Sequence, residues 1–261
     1  MSRIRSYRTE AIVIRRRDFA ESDRLLTLYS REHGKISAIA KGARKPQSRK
    51  TGHVELFMRT KFLIAKAKDL DIATQAEMIE GYAELREDLV RTTYASYAVE
   101  LLDRFTPEEE QHREVYDLLA SALHWFGVSD NLLLVARFYE LRLLSYLGYQ
   151  PQLFHCVGSN NEIQDEDQFF SADLGGLLAP TYETYDFKAR PISASAVKLL
   201  RFLQTRRWSD VQNIHLKRSL HAELEAIMSH YISHLLERNV ESLDLLYRLR
   251  NEARSLSLKG E

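Results

Sequence analysis

RLLTLYSREHGKISAIA, residues 24–40, sets two short apolar runs, Arg24–Tyr29 and Lys35–Ala40, on either side of His33-Gly34. Runs rich in Leu, Ile, Thr and Tyr joined by a glycine that admits a left-handed turn predict a β-hairpin. Strand patterns continue on both sides of it. Upstream, EAIVIRR (Glu10–Arg16) reads as a first strand. Downstream, Leu56, Met58, Thr60, Phe62 and Ile64 alternate with Glu55, Phe57, Arg59, Lys61 and Leu63. Leu70, Ile72, Thr74, Ala76 and Met78 likewise alternate with Asp71, Gln75 and Glu77. Period two is the mark of a strand with one buried face, and a tight link at Lys68-Asp69 pairs the last two. Five short strands in residues 1–80 suit a small closed barrel of oligonucleotide-binding (OB) type better than an open sheet with bare edges.

From Tyr82 the period becomes helical. Leu85, Leu89, Tyr94, Tyr97, Ala98, Leu101 and Leu102 recur at three- and four-residue steps. Thr106 is expected to cap a following helix, with Pro107 in its first turn and Glu108, Glu109 and Glu110 at its positive end. Asp130 is expected to cap a helix over Asn131–Leu147 that stops at Gly148, with Pro151 beyond. Residues 150–190 break the pattern with NNEIQDEDQ and a Gly pair. Helical periodicity returns at Ser193–Leu203, Lys217–Leu236 and Glu241–Leu249. The expectation is an α+β, multidomain chain. An OB-fold domain over 1–80 precedes a helical domain, 81–149 and 191–261, interrupted by an irregular insertion at 150–190.

The formal charge of the 261 residues is zero, and that total hides a split. Residues 1–68 hold 18 of the 37 Lys and Arg but only 6 of the 37 Asp and Glu, leaving 19 and 31 for the rest. A balance of +12 therefore faces one of −12, which points to two modules with different partners. One cysteine, Cys156, excludes an internal disulfide and fits a reducing compartment. The Arg-rich start lacks the apolar core of a signal peptide, and no apolar run approaches the roughly 18 residues of a membrane span. A cytoplasmic protein is expected.

The positive charge concentrates in AKGARKPQSRK, residues 40–50, which contains Lys41, Arg44, Lys45, Arg49 and Lys50 and no acid. Arg15, Arg16 and Arg17 end the first strand, Arg24 opens the second and Lys35 the third; Lys61, Lys66 and Lys68 add to the fourth. Lys and Arg along a small barrel, with Tyr29, Phe57 and Phe62 for stacking, are the means by which single strands are commonly held. A solvated charge run that keeps the module soluble is the plain alternative. A second basic group, Arg206, Arg207, Lys217 and Arg218 around Trp208, offers an extension of a nucleic-acid path with Trp208 as a stacking group, but reads better as helix-end cations beside a core Trp.

Catalytic patterns are weak. His230 and His234 share a helical face, but the Glu that metal hydrolases need after the first His is Tyr231 here. Asp165, Glu166, Asp167 and Asp173 sit in a polar loop and suggest solvated charge more than a Mg²⁺ site. Cys156 has no spaced partner, and no phosphate-binding glycine loop or nucleophile elbow occurs. No catalytic residue and no cofactor is expected.

Four stretches carry a family resemblance. They are EAIVIRRRDFAESDRLLTLYSREHGKISAIAKGARKPQSR (10–49), LRLLSYLGYQPQL (141–153), FFSADLGGLL (169–178) and HYISHLLERNVESLDLL (230–246). In these the chain resembles the RecO family, bacterial recombination mediators of the RecF pathway. The resemblance implies an N-terminal OB barrel, a helical domain and a small zinc-binding insertion. It also implies binding of single- and double-stranded DNA, annealing of complementary strands and contact with the single-strand-binding protein. With RecR, such proteins help load RecA, and the location implied is cytoplasmic and nucleoid-associated. An apolar groove for the acidic, Phe-ending tail of the single-strand-binding protein is implied too, without assignable residues.

The sequence departs from the family at the metal site. Many members have one Cys-x-x-Cys pair after LGYxPxL and a second after GGLL. Here the first reads Cys156-Val157-Gly158-Ser159 and the second Ala179-Pro180-Thr181-Tyr182. One thiolate with His155 cannot complete a tetrahedral shell, so a zinc-less insertion held by Phe169, Phe170, Leu177 and Leu178 is expected. The sequence thus reads as a non-catalytic DNA-binding mediator gripping phosphates through Arg15, Arg16, Arg17, Arg24, Lys35, Lys41, Arg44, Lys45, Arg49 and Lys50. The rivals are a scaffold whose basic barrel binds an acidic protein, and a metal-dependent nuclease using the acidic loop. Elemental analysis of the purified protein is expected to find well under one zinc per chain; stoichiometric zinc would refute the degenerate-site reading.

Overall fold

The computed structural model describes residues 6–48, 50–237, 240–242, 245–246 and 248–249. Strands β1 (Ser6–Phe19), β2 (Asp23–Ser30), β3 (Gly34–Ala40), β4 (Arg59–Ala65) and β5 (Asp71–Glu80) close into a barrel of order β1-β2-β3-β5-β4. β1 is long enough to pair twice, with β4 over Ser6–Ile12 and with β2 over Ala11–Phe19. A register shift between Val13 and Arg15 bends it from one partner toward the other. Of the other seams, that between β3 and β5 is parallel, Ala38 beside Asp71 and Ile39 beside Ile72. This is the expected OB barrel. Its interior is filled by Ala11, Val13, Leu26, Leu28, Ile36, Phe62 and Ile64, among others. Burial of each large apolar side chain stabilises the fold by about 1.5–3 kcal/mol.

The β2–β3 hairpin turns at Gly34 as expected, and Thr60, Phe62 and Ile64 of β4 face inward. Two expectations are corrected. Residues 55–58 are not strand: Met58 N–H donates to Glu55 O, and Phe57 takes φ +69°, so this piece turns into β4. On β5 the buried positions are Ala73 and, partly, Ala76, while Thr74 and Met78 are exposed. Ile64 pairs with Ala73 but Leu63 with Gln75, which leaves Thr74 as an extra residue. Such a bulge moves every later side chain to the opposite face.

Two compact units divide the chain, one running to Val128 and the other from Ser129 to Leu245. The first therefore takes in α1 (Ala83–Glu87), α2 (Leu89–Phe105) and α3 (Arg113–Val128) along with the barrel. Asp88 caps α2, accepting from Val90 and Arg91 N–H at 2.7 and 3.1 Å. Thr106 ends α2 rather than starting the next helix, since both its hydroxyl and its N–H donate to Leu102 O. Glu108–Glu110 are not helical because they lie along β3: Lys35 bridges Glu108, and Glu109 N–H donates to Lys35 O at 2.9 Å.

The second unit contains α4 (Leu132–Tyr146), capped by Asn131 rather than Asp130 through a 3.1 Å bond from Leu134 N–H, and followed by Gly148 at φ +82°. The insertion forms a small antiparallel sheet of order β7-β6-β8, from β6 (Gln168–Ser171), β7 (Gly176–Leu178) and β8 (Arg190–Ile192). It packs in the same unit as α5 (Ala194–Thr205), α6 (Trp208–Val211) and α7 (Arg218–Leu236). The helical pattern expected over 241–249 falls partly outside the described residues.

Gly34 is required twice over. Its φ is +64°, and a Cβ there would lie 1.9 Å from Glu110 O. Gly34→Ala is expected to lower unfolding free energy by at least about 2 kcal/mol in a urea titration, because both the turn and the Glu108–Glu110 strap must shift.

Candidate nucleic-acid interface

In the order β1-β2-β3-β5-β4, strand β5 lies between β3 and β4, so the chain must cross the end of the barrel to pass from one to the other. The crossing is residues 41–58, and it carries the basic cluster. Its first part is ordered by hydrogen bonds. Arg44 N–H donates to Ser22 O at 2.9 Å, Lys45 N–H to Gly42 O at 3.1 Å and Ser48 N–H to Lys45 O at 2.9 Å. Ala43 and Val54 are buried beneath it in the barrel core. Lys41, Arg44 and Lys45 project from this framework and are exposed.

Of the ten cations singled out in the sequence, eight fall into three groups. Arg15 and Lys35 both reach Asp103 of α2; Lys35 Nζ lies 3.0 Å from its carboxylate and 2.7 Å from its carbonyl, with 12% of the side chain exposed. These two join the barrel to its helices. Arg16 and Arg24 share Glu55 at 2.8 and 2.5 Å, while Arg24 and Arg44 flank Asp18 at 3.8 and 3.4 Å. Three cations thus surround two carboxylates, and a net positive charge remains. Arg17, Lys41 and Lys45 are exposed and carry no ion pair among the described residues. Lys50 is an anchor: its ammonium donates to Ala73 O of β5 at 3.3 Å, and burial pulls its pKa below the usual lysine value. Arg49 lies outside the described residues.

The expected stacking aromatics are corrected. Tyr29, Phe57 and Phe62 are all buried, Phe62 inside the barrel and Tyr29 on the helix-covered face, where its cross-strand partner Lys35 meets Asp103. Burial, with the charge of Glu110, raises the Tyr29 pKa far above its usual value. The aromatic that sequence reasoning passed over is Phe19, 38% exposed at the end of β1. It precedes Ala20, whose carbonyl accepts from Arg44 at 3.4 Å. Its signal was the run RRRDF, in which an aromatic follows three cations.

Lys66 pairs with Asp71 at 3.0 Å and sits over the Tyr7 ring, so it adds little free charge. On the far side of β1, β4 and β5 a groove of about 670 Å³ contains Arg8 and Lys61 but also Glu10, Glu32 and Glu77. Its mixed charge makes it a poor track for phosphates. Glu10 at its edge accepts from Arg59 at 2.6 Å and from Tyr116 of α3 at 2.9 Å. Burial alone would raise the Glu10 pKa, but these two hydrogen bonds and the charges of Arg59 and Arg31 outweigh it and hold it below 4.5.

In the insertion, Cys156 is buried and its sulfur accepts from Ala179 N–H at 3.3 Å, so the Cys156–Ser159 and Ala179–Tyr182 segments face each other. Burial pushes the thiol up, yet hydrogen bonds from Ala179, Ser159 and Gly158 bring it below its ordinary value. Leu178, Tyr182 and Tyr185 crowd Gly158, where a Cβ would meet them at 3.1–3.4 Å. The acidic loop is divided among structural tasks. Asp165 pairs with Lys198 at 2.6 Å, Asp167 accepts from Ala194 N–H at 2.9 Å, and Asp173 faces His234 at 3.2 Å. Among the described residues no group of three His, Cys, Asp or Glu side chains could hold a metal ion. Trp208 packs edge-on against Phe138 with ring centres 5.3 Å apart. No helix of the described residues is long and apolar enough to cross a membrane.

Residues 1–82 match the family model described as "Recombination protein O N terminal", and residues 86–244 match "Recombination protein O C terminal". The chain belongs to the RecO family. Similar relatives include the DNA repair protein RecO of Roseiflexus sp. (strain RS-1), 38% identical over 98% of this chain and 90% of that one. The protein of the same name from Desulforamulus reducens is 35% identical over 93% and 94% of the two chains, and that from Symbiobacterium thermophilum 36% over 94% and 98%. The RecO N-terminal match ends where β5 gives way to α1, so it coincides with the barrel and its basic crossing.

Glu10 gives this RecO chain a testable acid limb. A carboxylate whose folded pKa is depressed stabilises the fold above its unfolded pKa and loses that contribution as pH falls through the folded value. Glu10→Gln is expected to be less stable at pH 7, and its deficit from wild type should shrink steadily below pH 4.5. Chemical denaturation across pH 7 to 3 measures this, and a deficit constant over that range would remove Glu10 from the linkage.

Proposed function

We propose that this chain is a non-catalytic DNA repair and recombination mediator that holds nucleic acid by its phosphates at the rim of the barrel. The observation that carries the reading is the ordered crossing loop, which presents Lys41 and Lys45 exposed and without an ion pair among the described residues, and which is hydrogen-bonded through Arg44 to the β1–β2 turn that follows Arg17 and the exposed Phe19. Cations fixed by a folded framework attract phosphates through counterion release, and an exposed ring offers one base a stacking face. The paired Arg16, Arg24 and Arg44 extend the positive surface. Arg49 stays in the proposed phosphate-holding set on the charge of its sequence stretch alone. Arg15, Lys35 and Lys50 serve the fold instead, since Asp103 and Ala73 O engage their charge.

Contacts of this kind read no bases, so single- and double-stranded DNA are both held. Annealing follows when two strands are brought close, their repulsion is neutralised and their base edges stay free. No nucleotide is needed. The relatives' name supports the repair role, and family membership supports RecR, the single-strand-binding protein and, through RecR, RecA as partners in the cytoplasm. The acidic remainder of the chain suits protein partners better than DNA.

Binding of a single-stranded oligonucleotide measured against salt tests this. Replacing Arg17, Lys41 and Lys45 with Gln together is expected to weaken binding for every sequence alike. It should also flatten the slope of log affinity against log salt by up to about 2, three contacts at roughly 0.7 each. Lys35→Gln should leave that slope unchanged while lowering stability. An unaltered slope in the triple variant, with binding of an acidic protein surface lost instead, would favour the scaffold reading.

A further inference from the structure

The crossing loop is shaped by two side chains that carry no positive charge. Asp23, first residue of β2, accepts the Gly42 N–H at 2.7 Å through Oδ1, at a point where Gly42 takes φ +67°. Thr51 closes the other side: its hydroxyl lies 2.7 Å from Ala43 O and 3.3 Å from Lys45 O. Lys41 directly precedes the first of these bonds, and Lys45 is itself an acceptor in the second. Ser22 O, next to Asp23, takes the Arg44 N–H at 2.9 Å, so the β1–β2 turn and the loop are joined side by side.

Asp23 therefore presents opposed effects. Its charge, a short distance from a phosphate-holding surface, repels the ligand. Its hydrogen bond fixes the loop before the ligand arrives, which removes an ordering cost from binding. When only a fraction of molecules has the competent loop, apparent affinity falls by that fraction.

We propose that Asp23 and Thr51 are positioning residues for the phosphate-holding loop, and that Asp23 promotes nucleic-acid binding in spite of its negative charge. The proposal rests on the reading of Lys41 and Lys45 given above. A simple charge argument gives the opposite sign for Asp23, and the two are separable by substitution. Asp23→Asn keeps the Oδ1 acceptor and removes the charge. Asp23→Ala removes both. Thr51→Val is nearly isosteric and changes no charge.

The test uses the full chain with a labelled single-stranded oligonucleotide at fixed salt, plus amide hydrogen exchange of residues 42–48 without DNA. Asp23→Ala and Thr51→Val are each expected to bind about three- to tenfold more weakly, as when the ordered loop falls to a minor population, and to exchange faster in that segment. Asp23→Asn is expected to bind as tightly as wild type or more so, with its protection kept. Tighter or unchanged binding by Asp23→Ala overturns the proposal. Should Asp23→Ala not fold, Thr51→Val decides alone, and unchanged affinity and exchange there overturn it. Lys41→Gln with Lys45→Gln serves as the control: if that pair binds like wild type, the phosphate reading falls and this inference with it. If the pair is weakened while Asp23→Ala and Thr51→Val are not, only the positioning roles are lost.

Discussion

The barrel closes through two residues of parallel pairing, Ala38 with Asp71 and Ile39 with Ile72, and the placement of the basic loop follows from that seam. Because β5 sits between β3 and β4, no tight turn can join those two strands, and the connection must travel across the barrel end. A long connection over a closed core has its backbone groups at the surface, where they need partners. Here they find them in the β1–β2 turn and in Thr51, with Ala43 and Val54 packed below. The result is a rigid rim on which cations stand at set positions. Were the seam open, the same residues would be an unanchored charge run.

The zero net charge, 37 Lys and Arg against 37 Asp and Glu, conceals a division of labour among the cations of the barrel. On the helix-covered side of the barrel, Arg15 and Lys35 meet Asp103, Arg31 meets Asp117 at 3.2 Å, and Arg59 meets Glu10. Where such a pair is exposed on both sides, as Arg31–Asp117 is, it contributes only about 0–1 kcal/mol. The larger effect of the pairs is to fix which face of the barrel the helices cover, since an unpaired Lys35 at 12% exposure would be costly. At the rim, charge is left over. Arg17, Lys41 and Lys45 face solvent, and the Arg16, Arg24 and Arg44 group exceeds Glu55 and Asp18 by one.

The insertion is held by backbone hydrogen bonds and apolar packing. Backbone donors surround Cys156, with Ala179 N–H directed at the sulfur. The surroundings are apolar or aromatic: Leu177, Leu178 and Phe170 are buried, and Tyr182 and Tyr185 stack edge to face at 5.2 Å. Packing of this kind can hold two turns together that a tetrahedral ion would otherwise clamp. The three-stranded sheet β7-β6-β8 supplies the remaining order.

What the sequence determined by itself was much of what depends on near neighbours. The β2–β3 hairpin, the inward face of β4, the stop of α4 at Gly148 and the concentration of Lys and Arg in residues 41–50 all follow from short-range periodicity, turn chemistry and composition. Segments far apart in the chain decided the rest. The face of β5 depends on a bulge that exists only against β4, and Thr106 closes α2 because Glu108–Glu110 are drawn to β3. Tyr29 is buried because helices cover its face of the barrel, and Lys35 is neutralised by a carboxylate 68 residues away. Local periodicity records which residues prefer to be inside, but not which distant charge or surface will meet them. Membership in a strand was therefore readable, whereas the freedom of a cation to meet a phosphate was not.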